Sequence, residues 1–325
     1  MSEQHTSSVK IPIGISACLM GQKVRFDGGH KRSRFCTDVL AEYFDYVPLC
    51  PEVAIGMGTP RQPIRLVGES KDTTNVFARG TRDTELDVSD QLRAYGQEQG
   101  EQHKNLCGYI FMQKSPSCGL FGVKRYLDNG MPEGTARGLY AEEFCKKQPL
   151  LPVEEAGRLN DPGLRENFLV RVFAYHDWQQ FLASDFSAKD LIGFHARYKY
   201  LVMAHSQQYY KSLGHLLSDL SKAKLHTIAE EYFKQLMAAL AKPASRKMNT
   251  NTLMHLQGYL KNCLSSGDKQ ELTDLIQHYH QGIVPLIVPL TLLKHHLSHQ
   301  QQQHYANMQV YLNPYPYQLG LRNAI

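Results

Sequence analysis

Short apolar runs alternate with longer amphipathic stretches in the first half of the chain, and this alternation restricts the fold more than any other feature. Three runs of five or six residues, Ile11–Ser16, 46–50 and 107–112, are largely apolar on both faces, as in strands inside a parallel sheet. The stretches 37–44 and 88–102 between them have helical character. This order predicts an α/β domain with a parallel, Rossmann-like sheet.

The second half of the chain has a different pattern. After residue 149 the segment 154–183 is mostly helical, with an interruption at 160–163. Apolar residues then recur at three-and-four spacing in the segments 188–210, 213–241, 249–265 and 269–282. We therefore expect an α/β domain over 1–150, a helical linker over 151–187 and an all-α domain over 188–325. The apolar and aromatic stripe of Phe194, Tyr198, Leu201 and Val202 is interpreted as part of the helical core.

Composition excludes several classes of protein. The 325 residues are 42% hydrophobic and 21% charged, with a mean hydropathy of -0.40, as in ordinary globular proteins. The longest apolar stretch, 282–293, is short and contains two prolines, so we expect no membrane partner. The start, 1–8, is polar and lacks the apolar segment of a secretory signal, which favours a cytoplasmic location. Thiols stay reduced there, so the seven cysteines indicate metal binding or catalysis.

Three of the cysteines lie at the ends of predicted strands. Cys18 follows the first strand, Cys50 closes the second and Cys118 follows the third. Functional groups of a parallel sheet gather at the carboxyl ends of its strands, so these thiols should meet at one edge. Three thiolates favour a soft metal, whether an iron–sulfur cluster, zinc or cuprous ion, and leave one coordination position free. The gaps of 32 and 68 residues between them match no standard zinc finger or ferredoxin.

Polar residues accompany the three cysteines in the same loops. They are Ser16, Asp27, Glu52, Arg61, Ser115 and Ser117. A carboxylate such as Glu52 beside an open metal position can act as a general base, and hydroxyls can orient a substrate that carries heteroatoms. Taken singly, each of these residues is more often a cap or a turn residue.

Five motifs, in this order, resemble the thiouracil desulfurase family over residues 9–150. They are Ser-Ala-Cys-Leu at 16–19, Val-Arg-Phe-Asp-Gly at 24–28, Cys-Pro-Glu at 50–52, Thr-Pro-Arg at 59–61 and Ser-Pro-Ser-Cys-Gly at 115–119. The region 190–317 resembles the helical YbgA-type domain, with motifs at 194–200, 255–261 and 311–316. The fusion of the two is similar to the tRNA 4-thiouridine desulfidases.

The resemblance implies a [4Fe-4S] cluster that Cys18, Cys50 and Cys118 hold, with its fourth iron free for a thione sulfur. It also implies that Glu52 and Ser115 assist catalysis. The reaction it implies converts 4-thiouridine in tRNA to uridine and releases hydrosulfide without net electron transfer. We assign substrate contacts to Ser16, Asp27, Arg61 and Ser117 as an expectation.

Positive charge is concentrated in the helical half of the chain. The net charge is +5, yet residues 189–325 contain 14 Lys or Arg against 7 Asp or Glu and also hold 11 of the 15 histidines. Such a segment suits a polyanion, and tRNA is the partner we expect, with no DNA partner. The expected RNA contacts are Arg197, Lys199, Arg246, Lys247 and Lys261. The sequence leaves the oligomeric state open.

Three other functions compete with this one. The chain could desulfurise free thiouracil or thionucleosides, with the helical domain serving assembly or stability. It could insert sulfur into tRNA. A nucleotide-activating loop of the form GxxxxGK[ST] would support that function, and the sequence lacks one. It could also be a cluster-bearing RNA-binding sensor that has no turnover and no need of Glu52.

Overall fold

A computed structural model describes residues 10–69, 75–220, 224–299 and 304–325. The polar start, 1–8, lies outside the described residues. The chain divides into two compact units, Met1–Asn160 and Asp161–Ile325. This division differs from the segments expected above, because residues 153–155 complete the sheet of the first unit and residues 162–182 form a helix of the second. Residues 151–187 therefore do not form a separate linker, and the two units divide this segment between them.

The first unit is an α/β structure with two sheets. Its strands are β1 (Ile11–Ser16), β2 (Phe44–Leu49), β3 (Ile64–Gly68), β4 (Val76–Gly80), β5 (Tyr109–Phe111), β6 (Val123–Tyr126), β7 (Pro132–Ala136) and β8 (Val153–Glu155). Its helices are α1 (Pro51–Ala54), α2 (Ser89–Gln102) and α3 (Leu139–Lys147). The first sheet has the order β2-β1-β5-β8 and all its strands are parallel. The predicted parallel sheet is confirmed.

The second sheet of this unit was not predicted. Its order is β4-β3-β6-β7, with a parallel pairing of β3 and β6 between two antiparallel ones. One of its faces packs on a core that includes Leu66, Ala78, Val123 and Leu139. Charged side chains interrupt the apolar ones at Arg65 in β3, Arg79 in β4, and Lys124 and Arg125 in β6, so no continuous apolar run marks these strands.

The stretch predicted as a helix over 37–44 forms two short turns instead. A π-type turn covers Phe35–Val39, a 3-10 turn covers Leu40–Glu42, and β2 begins at Phe44. Phe44 lies opposite Ile11 in the sheet and is only 2% exposed. Sheet pairing and burial of this ring therefore override the helical spacing.

The described residues of the second unit form helices and short helical turns, which confirms the all-α prediction. The helices are α4 (Pro162–Leu182), α5 (Ala188–His205), α6 (Gln207–Leu216), α7 (Leu225–Leu240), α8 (Arg246–Gln257), α9 (Ser266–Gln281), α10 (Ile287–Ser298) and α11 (His304–Asn307). Trp178 is 1% exposed and stacks on Tyr232 and Phe233. The predicted stripe of Phe194, Tyr198, Leu201 and Val202 is buried beside it. None of the described helices is long and apolar enough to cross a membrane.

Candidate active site

The three cysteines at strand ends line one cavity. Cys18 lies in the 3-10 turn Ala17–Met20 after β1, Cys50 is the N-cap of α1 after β2, and Cys118 follows β5. Since β1 pairs with both β2 and β5, the carboxyl ends of the three strands meet at one edge of the sheet. The cavity there has a volume of about 130 Å³. Its lining includes Ser16, Cys18, Arg25, Cys50, Glu52, Arg61, Met112, Lys114, Ser115 and Cys118.

Burial and mutual charge keep these thiols protonated in the absence of a cation. Burial, followed by the charge of Cys50, raises the pKa of Cys18 to about 11. Burial, followed by the charges of Cys50, Glu52 and Cys18, also raises the pKa of Cys118 well above the ordinary value for a thiol. Burial raises the pKa of Cys50 as well. The anionic forms of the three thiols therefore repel one another, and a bound cation would relieve that repulsion.

The turn that carries Cys118 is held by the hydroxyl and the carbonyl of Ser115. Ser115 Oγ accepts the backbone N–H groups of Ser117 at 3.2 Å and Cys118 at 3.1 Å. The N–H of Gly119 donates to Ser115 O at 2.8 Å. A Cβ on Gly119 would lie 2.3 Å from Val123 Cγ2, so only glycine allows this approach.

A buried carboxylate from the far end of the unit fixes the same turn. Glu155, at the end of β8, is 4% exposed, and its Oε1 accepts the N–H groups of Leu120 at 2.8 Å and Phe121 at 3.1 Å. Glu155 was not among the predicted site residues, because residues 151–187 were expected to lie outside the α/β domain. The last strand therefore helps to set the position of Cys118.

The carboxylate of Glu52 lies at the cavity and is held from two sides. Its Oε2 accepts from Arg61 Nε at 2.8 Å and Nη2 at 2.6 Å, and its Oε1 accepts from Ser117 Oγ at 2.8 Å. Arg61 also donates to the carbonyls of Val24 at 3.0 Å and Gly58 at 2.8 Å. The Arg61 side chain is 5% exposed, so its guanidinium is engaged by protein groups. Its role in this arrangement is to position Glu52.

The remaining predicted substrate contacts lie in different surroundings. Ser16 lines the cavity, and its Oγ accepts the Met112 N–H at 3.0 Å. Ser117 is fully buried behind Glu52. Asp27 does not belong to the described lining; its carboxylate accepts the Gly29 N–H at 3.0 Å, which lowers the pKa of Asp27. Asp27 therefore shapes a turn, and its neighbour Arg25 faces the cavity instead.

Lys114 lines the cavity and was not among the predicted site residues. It lies between β5 and the Cys118 turn, has a φ of 58° and is exposed. This left-handed backbone conformation is uncommon for lysine and often marks functional loops. Its position directly before the Ser-Pro-Ser-Cys motif was the available signal.

Within the described residues, no group of three or more His, Cys, Asp or Glu side chains converges closely enough to hold a single metal ion. An iron–sulfur cluster makes a different demand, because each cysteine binds a different iron and the sulfurs need not converge on one point.

Comparisons with known proteins agree with this architecture. The family model described as 2-thiouracil desulfurase matches residues 13–156, which include all three cysteines and Glu52. The uncharacterized protein YbbK of Bacillus subtilis (strain 168) is 33% identical over 113 residues, 32% of this chain and 71% of that protein. The chain belongs to the 2-thiouracil desulfurase family. A second model, described as a protein of unknown function (DUF1722), matches residues 199–316.

The DUF1722 region also has a relative among curated proteins. The uncharacterized protein YbgA of Escherichia coli (strain K12) is 33% identical over 134 residues, which are 41% of this chain and 79% of that protein. Among solved structures, a [4Fe-4S]-dependent thiouracil desulfidase, TudS, is 26% identical. That match covers 46% of this chain and 94% of the other, with a TM-score of 0.36.

The five cations of the helical half that we expect to bind RNA differ in their contacts. Lys247 and Lys261 are exposed. Arg197 donates to Asp177 at 2.6 Å, and Arg246 donates to Tyr279 O at 2.7 Å. Lys199 lies 4.9 Å and 4.8 Å from the ring centroids of two tyrosines, Tyr200 and Tyr305. Two of the five cations are therefore open to a ligand without first breaking one of these contacts.

Proposed function

We propose that the chain is an iron–sulfur-dependent desulfidase that converts 4-thiouridine in tRNA to uridine and releases hydrosulfide. One observation carries this proposal: three thiols and a positioned carboxylate line the same cavity. The family to which the chain belongs supports the reaction class, since its description names the removal of sulfur from a thiolated pyrimidine.

The donor set of the cavity fits a [4Fe-4S] cluster. Cys18, Cys50 and Cys118 offer three thiolates, and thiolates are the usual ligands of such clusters. Their raised pKa values reflect burial beside other anions, and positively charged irons would reverse that effect. When bound, the cluster would supply a soft Lewis-acidic iron with affinity for a thione sulfur.

Glu52 would act as the general base. Arg61 and Ser117 hold its carboxylate at the cavity wall, so its oxygens keep a fixed direction toward the substrate. From there the carboxylate would take a proton from a water molecule that attacks the carbon of the C=S group. A fixed base of this kind loses little entropy when the substrate binds.

Ser115 would act as a hydrogen-bond donor to the substrate. Its oxygen already accepts two backbone N–H groups, which leaves its O–H hydrogen to donate into the cavity. A pyrimidine carbonyl or ring nitrogen is a suitable acceptor. The turn that carries Cys118 therefore also fixes the position of the Ser115 hydroxyl.

The proposed reaction is a hydrolysis and balances without an electron donor. Water adds its oxygen to the ring carbon, the C–S bond breaks, and the sulfur leaves as hydrosulfide. Of the two protons of the water, one passes to Glu52 and then to solvent, and the other leaves with the sulfur.

The basic helical region supports tRNA as the substrate. Residues 189–325 carry 14 Lys or Arg against 7 Asp or Glu, and phosphates dominate nucleic-acid affinity. One observation favours a second candidate, the desulfurisation of free thiouracil: the family description names 2-thiouracil itself. Parallel assays on thiolated tRNA and on free 2-thiouracil distinguish the two.

Anaerobic reconstitution tests the proposal directly. Iron and sulfide are quantified in the full-length chain, and the nucleosides of treated thiolated tRNA are then analysed. We expect about four irons per chain and replacement of 4-thiouridine by uridine.

Two substitutions and a matched control separate the cluster from the base. Cys50→Ala should abolish the brown absorbance and the turnover together. Glu52→Gln should keep the absorbance and lose turnover by about 100-fold or more. Cys145→Ala, which removes a half-buried thiol of α3 that is not among the described lining residues, should change neither. An active Cys50→Ala protein would refute the assignment.

A further inference from the structure

A second, larger groove lies on the first unit beside the cysteine cavity. Its volume is about 530 Å³. Its lining includes Arg65, Lys114, Pro116, Lys124 and Tyr126. No acidic residue belongs to the lining that the structure describes, while three residues of it are cations.

Two of the cations project from the same face of the second sheet. Leu66 of β3 pairs with Arg125 of β6, so Arg65 and Lys124 occupy the preceding positions on the two neighbouring strands. Side chains alternate between the faces of a sheet. Leu66 and Arg125 face the interior and are nearly inaccessible, which places Arg65 and Lys124 together on the opposite, accessible face.

These cations lack carboxylate partners among the described residues. The ion pairs of this sheet involve Arg79 with Asp87 and Asp128, and Arg125 with Glu133, but neither Arg65 nor Lys124. The buried Nε of Arg65 has no hydrogen-bond partner in the described structure. An uncompensated guanidinium beside an ammonium group is a site for an anion.

An aromatic ring adjoins the cations. The guanidinium of Arg65 lies 5.4 Å from the ring centroid of Tyr126, which is half-buried on the same face. Cations combined with an aromatic surface are the usual means of holding a single nucleic-acid strand.

Lys114 connects this groove to the cysteine cavity. It lines both, and its backbone lies in the left-handed region directly before Ser115. Pro116, one residue beyond Ser115, lines the groove as well. A ligand that fills the groove therefore ends beside the turn that carries Cys118.

We propose that this groove binds the sugar–phosphate backbone of the RNA strand next to the thiolated nucleotide. The inference rests on the proposed function and extends it, because it assigns part of the RNA recognition to the desulfurase unit itself. A base must leave the helical stack before an enzyme can act on it, so the adjacent backbone needs its own contacts. A free thiobase carries no phosphate and gains nothing from the groove.

The test measures RNA binding with the full-length chain. A fluorescently labelled RNA hairpin without any thiolated base is titrated into wild-type protein and into the Arg65→Gln/Lys124→Gln double variant at several salt concentrations. We expect the double variant to bind about tenfold more weakly at low salt, since each charged contact contributes substantially. Its salt dependence should also be less steep, by about one unit of log Kd per log salt for each cation removed.

A second double variant controls for net charge. Lys104→Gln/Lys147→Gln removes two cations that pair with Glu101, at 2.7 Å and 3.3 Å, and should bind the hairpin as the wild type does. Equal hairpin affinity in the Arg65→Gln/Lys124→Gln variant and the wild type would overturn the groove assignment. Equal loss in both double variants would overturn it too, since net charge alone would then explain the effect.

Iron content after reconstitution checks the folding of the variants and separates this inference from the proposed function. The Arg65→Gln/Lys124→Gln variant should keep the iron content of the wild type and its kcat on saturating thiolated tRNA, while its KM for thiolated tRNA rises. Should the wild type fail on every thiolated substrate, the desulfidase proposal fails, yet the hairpin titration still decides whether the groove binds RNA.

Discussion

Ser117 donates a hydrogen bond of 2.8 Å to the carboxylate of Glu52 and so joins the loop after β5 to the helix after β2. The residue that carries the proposed base and the loop that carries Cys118 are thereby fixed to each other. Ser117 is fully buried, so water cannot replace this donor.

Ser117→Ala should loosen the position of the Glu52 carboxylate without removing the cysteines. Loss of a buried hydrogen bond to a charged group costs about 1.5–3 kcal/mol, so we expect turnover to fall by about 10–100-fold. Iron content should stay unchanged, as measured by anaerobic metal analysis. Ser218→Ala, which removes only a hydroxyl bonded to His215 O, serves as the control and should retain full turnover.

Gly119→Ala should distort the turn that carries Cys118. The added Cβ would lie 2.3 Å from Val123 Cγ2 and 2.8 Å from Ser115 O, and overpacking of this kind costs about 1–3 kcal/mol. Urea unfolding measures the loss, and iron binding should fall with it. Gly193→Ala introduces the same methyl group in helix α5, where nothing lies within 4 Å, and should leave the protein as stable or slightly more stable.

His195 should make the helical unit sensitive to acid. Burial, followed by the charge of Lys199, lowers the pKa of His195 from 6.5 to about 4. The folded state therefore favours the neutral ring. The contribution to stability is complete above pH 6.5 and is lost as the pH falls toward 4, by up to about 3 kcal/mol.

His195→Gln should remove this part of the acid sensitivity. Denaturant unfolding at a series of pH values between 7 and 4 measures the difference between variant and wild type. His226→Gln, at an exposed position, is the matched control and should keep the wild-type slope. A His195→Gln protein whose stability falls with acid as steeply as that of the wild type would contradict the interpretation.

The helical cations should differ in their contributions to tRNA binding. Lys247 and Lys261 are exposed, whereas Arg197 is bound to Asp177 at 2.6 Å. We expect Lys247→Ala and Lys261→Ala each to lower the slope of log Kd against log salt concentration for tRNA by about one unit. Arg197→Ala should have a smaller effect on binding, because its ion pair must break before it can contact a phosphate. Filter binding at several salt concentrations distinguishes the three variants.

The parallel sheet was predictable because three of its strands coincide with short apolar runs in the sequence. Strand β1 has the predicted bounds, and β2 and β5 overlap the predicted runs, since all three are short apolar segments. The second sheet escaped prediction because Arg65, Arg79 and Lys124 interrupt its apolar residues. Strand β8 escaped because Glu154 and Glu155, although buried, are acidic.

The cavity was partly predictable for the same topological reason. Functional groups gather at the carboxyl ends of parallel strands, and this rule was enough to predict that Cys18, Cys50 and Cys118 lie together. It could not distinguish residues that face the cavity from those that support it. Ser117 and Asp27 have the same chemistry as substrate-binding residues, but their hydrogen bonds direct them to Glu52 and to Gly29. Those directions depend on backbone torsions and tertiary contacts that composition does not encode.

Strand β1 lies between β2 and β5, so Cys18 is synthesised before the two cysteines that share its cavity. When Cys50 has been made, Cys118 is still missing. The set closes once β8 has emerged and Glu155 holds the turn after β5, and the helices of the second unit are translated later, from Pro162 onward. The first unit can therefore complete its cysteine cavity, and with it the proposed cluster site, while synthesis of the chain is still under way.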